Sequence, residues 1–518
     1  MHQPAATPPR AGAAILAMAI VLYLLLANAM APFTPDDAFI SFRYAEHLAA
    51  GAGLTFNPGA PPVEGYSNFL WILVCAAFAV AGLDLVEWSR HAGVLFGAGT
   101  LALAWVMLAR RGAAHAHFAV VLLALASAGP FVLHTISGLE TALFGFLLLL
   151  ALLCAERCAH AGPPWLAGLA ASGVALALCR PEGVLVFPLI VAFLLATGGL
   201  RQPRAAVLAA VFGFALAIAA YHLWRLDYFG ETMPTPFHSK GAAGALVEAW
   251  KTNLRYLFVR QNHYFAPVGW YLAGFAGVAL LGQGIRVARE RRPDVAPLPL
   301  VTALGLAAVY MNFVDWMPAM RYFAPLIAPV MVSLPPFELR LAPGGGRAAG
   351  VAAALIVVLA AGFGSVAVLT LDARRNEAST RGAQVALGEW LAATMPEDAL
   401  LAVSDVGAIP YRSHLRTIDI HPRSLTDAHI ATHGWSDAYF FERDPDVVVL
   451  VSFSLTEPAF YGEHLALYRR PEFRARYTRA GVTRYDWHMD RCYWVFTGTR
   501  VRLTESQIAS LPEGVSAE

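Results

Sequence analysis

Long apolar stretches separated by short polar segments rich in arginine organise the first 371 residues. Residues 13–31, 94–109, 139–155, 207–223 and 351–371 approach or reach the roughly 20 residues that cross a hydrocarbon core as helix. From about residue 372 the pattern changes. Residues 376–395 alternate apolar and polar positions with a helical period, and 400–403, 417–420 and 447–451 are short β-branched runs bounded by turn residues. The pattern predicts a polytopic α-helical membrane part over 1–371 and a soluble α/β domain over 372–518.

The basic residues orient this array, because short cytoplasmic loops collect Lys and Arg. Arg10, Arg110, Arg111, Arg157, Arg201, Arg204, the 286–292 cluster, Arg340 and Arg347 fall in alternate loops. Placing them inside requires about eleven spans, a cytoplasmic N-terminus and an extracytoplasmic tail. It also requires 68–82 to lie in the outer interface, within a first outer loop of residues 32–90. The first apolar stretch ends in Ala27-Asn28-Ala29, which mimics a signal-peptidase site, and is expected to be retained as a helix.

Composition agrees with a membrane chain: 58% of the 518 residues are hydrophobic, 14% are charged, and the mean hydropathy is +0.54. The formal charge of +1 gives no basic footprint for a nucleic acid. Cys75, Cys154, Cys158 and Cys179 lie in apolar segments and Cys492 in the tail, so free thiols are expected rather than a disulfide framework. Cys154 and Cys158 share a helix face, but no ligand set stands near them.

Acidic and polar residues gather on the side assigned as outer. Thr34-Pro35-Asp36-Asp37 precedes a helical stretch and admits two readings. Thr34 as N-cap with Asp37 three residues on would simply start a helix. Alternatively, a carboxylate at the membrane surface would take the proton from an acceptor hydroxyl attacking an anomeric carbon, with phosphate as the leaving group. Arg43 lies two turns beyond Asp36 and is a candidate for a donor phosphate or for lipid headgroups. Glu64 is a candidate sugar contact, and His238 and Lys240 are cations suited to a lipid phosphate. Asp315 and Arg321 flank a turn and either pair with each other or face the donor. Glu140 and Glu182 sit at span edges, where they either line a cavity or serve structure. His421, His429 and His433, with Asp419 and Asp427, follow no recognised ligand spacing. A divalent cation (Mg, Mn or Ca) bridging Asp36 or Asp37 to phosphate remains an open alternative.

The motifs Asp36-Asp37-Ala38-Phe39-Ile40-Ser41-Phe42-Arg43-Tyr44 and Val63-Glu64-Gly65-Tyr66-Ser67-Asn68-Phe69-Leu70-Trp71 resemble those of bacterial GT-C glycosyltransferases, with closest likeness to the mycobacterial terminal β-arabinofuranosyltransferase group. The resemblance continues through Ser137 to Thr141, Arg180 to Gly183, Tyr228 to Lys240, Asp315 to Pro318 and Arg321-Tyr322. It implies a GT-C-like membrane fold in a bacterial inner membrane, a polyprenyl-phosphate sugar donor, and a glycan, lipid or protein acceptor. It places catalysis at Asp36 or Asp37 and adds Tyr322 to the donor contacts. In the tail, Ser404-Asp405-Val406-Gly407-Ala408 fits the relatives, whereas Asp419 to Asp427 carries His-Pro-Arg-Ser where they have a shorter link. A lipid-glycan flippase or a non-catalytic envelope scaffold is the alternative; the absence of an evident inverted repeat speaks against a transporter.

Overall fold

The computed structural model describes residues 10–158, 162–240, 246–261, 264–265, 267–290, 295–314, 317, 319–335, 346–458, 460–486 and 491–514. They form two compact units. One comprises Met1–Pro32, Ser89–Leu223 and Gly241–Ala373, the other Phe33–Trp88, Trp224–Lys240 and Arg374–Glu518.

Among the described residues five helices are long and apolar enough to cross a membrane: Ala11–Met30, Leu85–Arg110, Thr141–Cys158, Arg204–Phe229 and the run Leu355–Thr394. A sixth crossing results if the pair His115–Ala126 and Gly129–Thr135, bent by 55°, counts as one. Pro130 explains the bend, since it cannot donate to the preceding turn and its ring crowds that turn's carbonyl. Pro164–Cys179, Pro181–Ala196, Leu272–Val287 and Leu298–Tyr310 are shorter apolar helices. The expected count of about eleven is therefore not reached by helices of full spanning length among the described residues. Only 6% of the apolar window of Arg204–Phe229 is buried, and Leu208, Phe212 and Leu216 stand exposed, as a lipid-facing helix requires. Within this unit Arg260–Gln261 (β1) and Tyr264–Phe265 (β2) form a small antiparallel pair.

The second unit is built on a five-stranded sheet of Leu400–Val403 (β3), Arg416–Asp419 (β4), Val447–Ser452 (β5), Tyr477–Asp486 (β6) and Arg491–Gly498 (β7). Its order is β4-β3-β5-β7-β6. β3 pairs in parallel with β4 and β5, with Leu401 opposite Thr417 and Val447, while β7 runs antiparallel to β5 and β6. β5 is buried at every position, which its unbroken Val-Val-Val-Leu-Val run anticipates. Ile418, Ile420, Phe440, Leu450, Phe473 and Trp494 belong to the core on this sheet. The expected strands are present within a residue at each end, and the expected amphipathic helix appears as the end of Gly346–Ser379, a π-helical turn at Thr380–Val385, and Ala386–Thr394.

The first outer loop belongs to this same unit, whereas the sequence reading grouped it with the membrane part. Asn57 exchanges two hydrogen bonds with the backbone of Thr417, at 2.7 and 2.9 Å. The Thr34 amide donates to Glu377 at 2.7 Å, and the Tyr411 hydroxyl donates to Glu46 at 2.6 Å. Residues 68–82 contain a helix at Phe69–Val80, whose 12 residues rise only about 18 Å and so fall short of a hydrocarbon core.

Candidate active site

The helix Asp36–Ala49 begins at Asp36, with Pro35 in an extended conformation at the N-cap position and no side-chain cap. The capping-box reading of Thr34 and Asp37 is therefore not what forms. The Asp36 carboxylate reaches instead to the tail, where Oδ1 accepts a hydrogen bond from the Ala408 amide at 2.7 Å. Gly407 makes this approach feasible, because a Cβ there would sit 2.1 Å from the Asp36 carbonyl oxygen and 2.4 Å from its Cγ.

Asp405 stands beside this contact, on the turn that follows β3. Its Oδ2 accepts from the Tyr493 hydroxyl at 2.5 Å and lies 3.8 Å from the Arg491 guanidinium. Burial raises the Asp36 pKa to about 8, with the negative charges of Asp405 and Asp37 adding to it and the Ala408 and Gly407 amides opposing it. Asp36 as a residue is half-buried. Asp37, next to it, is half-buried as well.

The other candidates separate into distinct environments. Arg43 is buried, and its guanidinium donates to the carbonyls of Phe56 (2.8 Å), Leu415 (2.7 Å) and Pro410, with the Phe56 ring 4.7 Å away. These bonds fasten the loop to the tail, so its donors are committed to backbone rather than to a donor phosphate. Glu64 is likewise buried and receives two hydrogen bonds from Arg225, at 2.6 and 2.8 Å, where the sequence suggested a sugar contact. In the membrane unit Arg321 pairs with Glu140, and Tyr322 stacks on Tyr310 with the Arg180 guanidinium 4.6 Å from its ring. Arg180 also meets Glu182 at 2.6 Å. Asp315, and the side chains of His238 and Lys240 on the helix Thr235–Lys240, lie outside the described residues.

Of the tail histidines, His429 and His433 stack on each other with ring centroids 4.7 Å apart, and His421 lies against Tyr461 instead. His429 stacks on Tyr439, with ring centroids 4.0 Å apart, and Asp419 accepts from the amides of His421, Leu425 and Thr426, which folds the loop after β4 around itself. Among the described residues no three His, Cys, Asp or Glu side chains cluster to cage a metal ion. Sequence reasoning missed Arg225, Asp405 as a neighbour of Asp36, and Arg491 with Tyr493. Only the Ser404 to Ala408 motif gave any signal for them.

Residues 373–502 match a family described as a domain of unknown function (DUF8728). No curated protein sequence matches the chain. Solved structures do. ArnT from Cupriavidus metallidurans bound to undecaprenyl phosphate aligns with a TM-score of 0.60 and 13% identity, over 95% of this chain and 99% of its own. The archaeal oligosaccharyltransferase AglB from Archaeoglobus fulgidus, in complex with an inhibitory peptide and a dolichol-phosphate, aligns with a TM-score of 0.52 and 12% identity, over 97% of this chain and 77% of its own. Mycobacterial arabinofuranosyltransferase AftD overlaps at a TM-score of 0.46 and 18% identity, over 84% of this chain and 35% of its own. ArnT and AglB are GT-C glycosyltransferases, and the chain has the GT-C glycosyltransferase fold.

Proposed function

We propose that the protein is a membrane glycosyltransferase that moves a sugar from a polyprenyl-phosphate donor to a glycan, lipid or protein acceptor on the extracytoplasmic side of a bacterial inner membrane, with Asp36 as general base. The observation that carries this reading is the Asp36 carboxyl at the Ala408 amide and beside Asp405, whose pKa of about 8 suits proton abstraction near neutral pH. The acceptor hydroxyl gives its proton to Asp36 while its oxygen bonds to the anomeric carbon. The donor phosphate departs with the bonding electron pair and needs no acid, so one carboxylate suffices and the anomeric configuration inverts. The lipid phosphates held by ArnT and AglB support a donor of this class.

For the donor, His238, Lys240, Arg321, Asp315 and Tyr322 remain the proposed contacts, while Arg43 and Glu64 are assigned to structure. Any Mg, Mn or Ca ion would be held through Asp36 or Asp37, since hard cations favour carboxylate oxygen. The test is sugar transfer from radiolabelled polyprenyl-phosphate donors. Asp36→Asn is expected to lower the rate by about 100-fold or more, and Asp37→Asn by much less. Wild-type rates in Asp36→Asn would end the assignment.

A further inference from the structure

Parallel strands present their carboxyl ends at one edge of a sheet, and ligands of open α/β sheets bind outside that edge. Here β3, β4 and β5 run in parallel. The antiparallel β7 starts where β5 ends, with Cys492 opposite Ser452, and β6 ends beside it, with Asp486 opposite Arg491. One edge therefore collects Asp405 after β3, the aromatic loop after β5, Tyr485 near the end of β6 and Arg491 at the start of β7.

These side chains touch. Arg491 lies 5.3 Å from the Phe460 ring centroid and 4.7 Å from that of Tyr485, besides its approach to Asp405. Phe460 packs against Phe453 at 4.5 Å and Tyr461 at 4.4 Å. Phe453 is 44% exposed, and the side chains of Arg491 and Asp405 keep 27% and 15% of their surface open. The Arg491 Nε, though buried, has no hydrogen-bond partner among the described residues. The loop is pinned beneath its rings: Trp494 Nε1 donates to the Ser454 carbonyl at 3.0 Å, and Ser452 Oγ donates to the Glu457 carbonyl at 2.6 Å. This holds the aromatic faces in place before any ligand arrives.

An aromatic face flanked by a guanidinium and a carboxylate fits a saccharide. A sugar ring offers C–H groups to the ring face, and its rim of hydroxyls both donates to carboxylates and accepts from guanidinium. One residue, Val406, separates Asp405 from Gly407 and Ala408, which hold Asp36. We infer that the carboxyl edge of this sheet, around Asp405, Arg491 and Phe460, is the acceptor subsite and that its occupant is a saccharide. The inference rests on the transferase reading given above, and it deepens that reading by making the acceptor a glycan and placing it on the tail.

The test is saturation-transfer NMR on the full chain in nanodiscs, with methyl α-arabinofuranoside, methyl α-mannopyranoside and the corresponding trisaccharides as probes. At least one probe is expected to saturate, with affinity falling at least tenfold in Phe460→Ala and Arg491→Ala and recovering in Phe460→Tyr. Asp36→Asn is expected to bind like wild type while losing transfer. Binding by no probe, or unchanged binding in both Phe460→Ala and Arg491→Ala, would overturn the subsite. Preserved binding alongside normal transfer in Asp36→Asn would instead remove the base and leave the subsite standing.

Discussion

A carboxylate in the first turn of a helix ordinarily loses proton affinity to the positive end of the helix dipole. At Asp36 burial and the neighbouring Asp405 outweigh that effect. Because the folded pKa, about 8, stands above the usual 3.8, the folded protein holds a proton that the unfolded chain releases between those values. Stability from this group is thus present in acid and lost as pH rises toward 8. Asp36→Asn is expected to melt above wild type at pH 8.5, with the difference narrowing toward pH 4; thermal unfolding in detergent reads both. Wild-type transfer is expected to rise with pH through about 8, as a base that must first lose its proton requires. Arg43 calls for the opposite kind of experiment. Arg43→Ala removes the guanidinium hydrogen bonds to three backbone carbonyls, of which those of Pro410 and Leu415 keep other donors, and a loss of about 1–3 kcal/mol of stability is expected, seen as early melting, without a selective rise in donor KM.

At the scale of elements, the close fit of the helix start to the Asp405 to Ala408 turn depends on one missing methyl group. Gly407→Ala is expected to force the two backbones apart at a cost of about 1–3 kcal/mol and to lower transfer by more than tenfold while the sheet stays folded, as circular dichroism beside an activity assay would show. The Glu64–Arg225 pair ties the end of the first loop to the end of a long helix. Glu64→Ala leaves a buried guanidinium uncompensated and is expected to cost about 3–5 kcal/mol, whereas Glu64→Leu combined with Arg225→Leu recovers most of it in a double-mutant cycle. Neither arrangement was legible in the sequence. The strands β3, β4 and β5 announced themselves through local β-branched runs, and Asp36 through a local motif. Arg43 bonds to Leu415, 372 residues away, Glu64 to Arg225, 161 away, and Asp405 to Tyr493, 88 away, and no local pattern encodes such distances. β6 and β7 escaped the sequence reading for a different reason: Tyr493, Trp494, Val495 and Phe496 are good strand formers, but the charged residues around them blur the alternation.

For the molecule as a whole, apolar periodicity gave the membrane character and the α/β tail, but not the division into units. The tail recruits the first loop and residues 224–240, so its fold is assembled from three separated segments. The proposed topology has this unit outside the cytoplasm. Glu463 is exposed and all five native cysteines are buried, so Glu463→Cys offers a clean reporter. An impermeant maleimide is expected to label it in cells whose inner membrane is intact, and labelling only after that membrane is breached would reverse the topology. The Asp36–Ala408 hydrogen bond joins positions 372 residues apart. A ribosome must therefore pass Ala408 before the carboxylate finds its setting. A nascent polypeptide that stops short of that point carries an ordinary, strongly acidic aspartate.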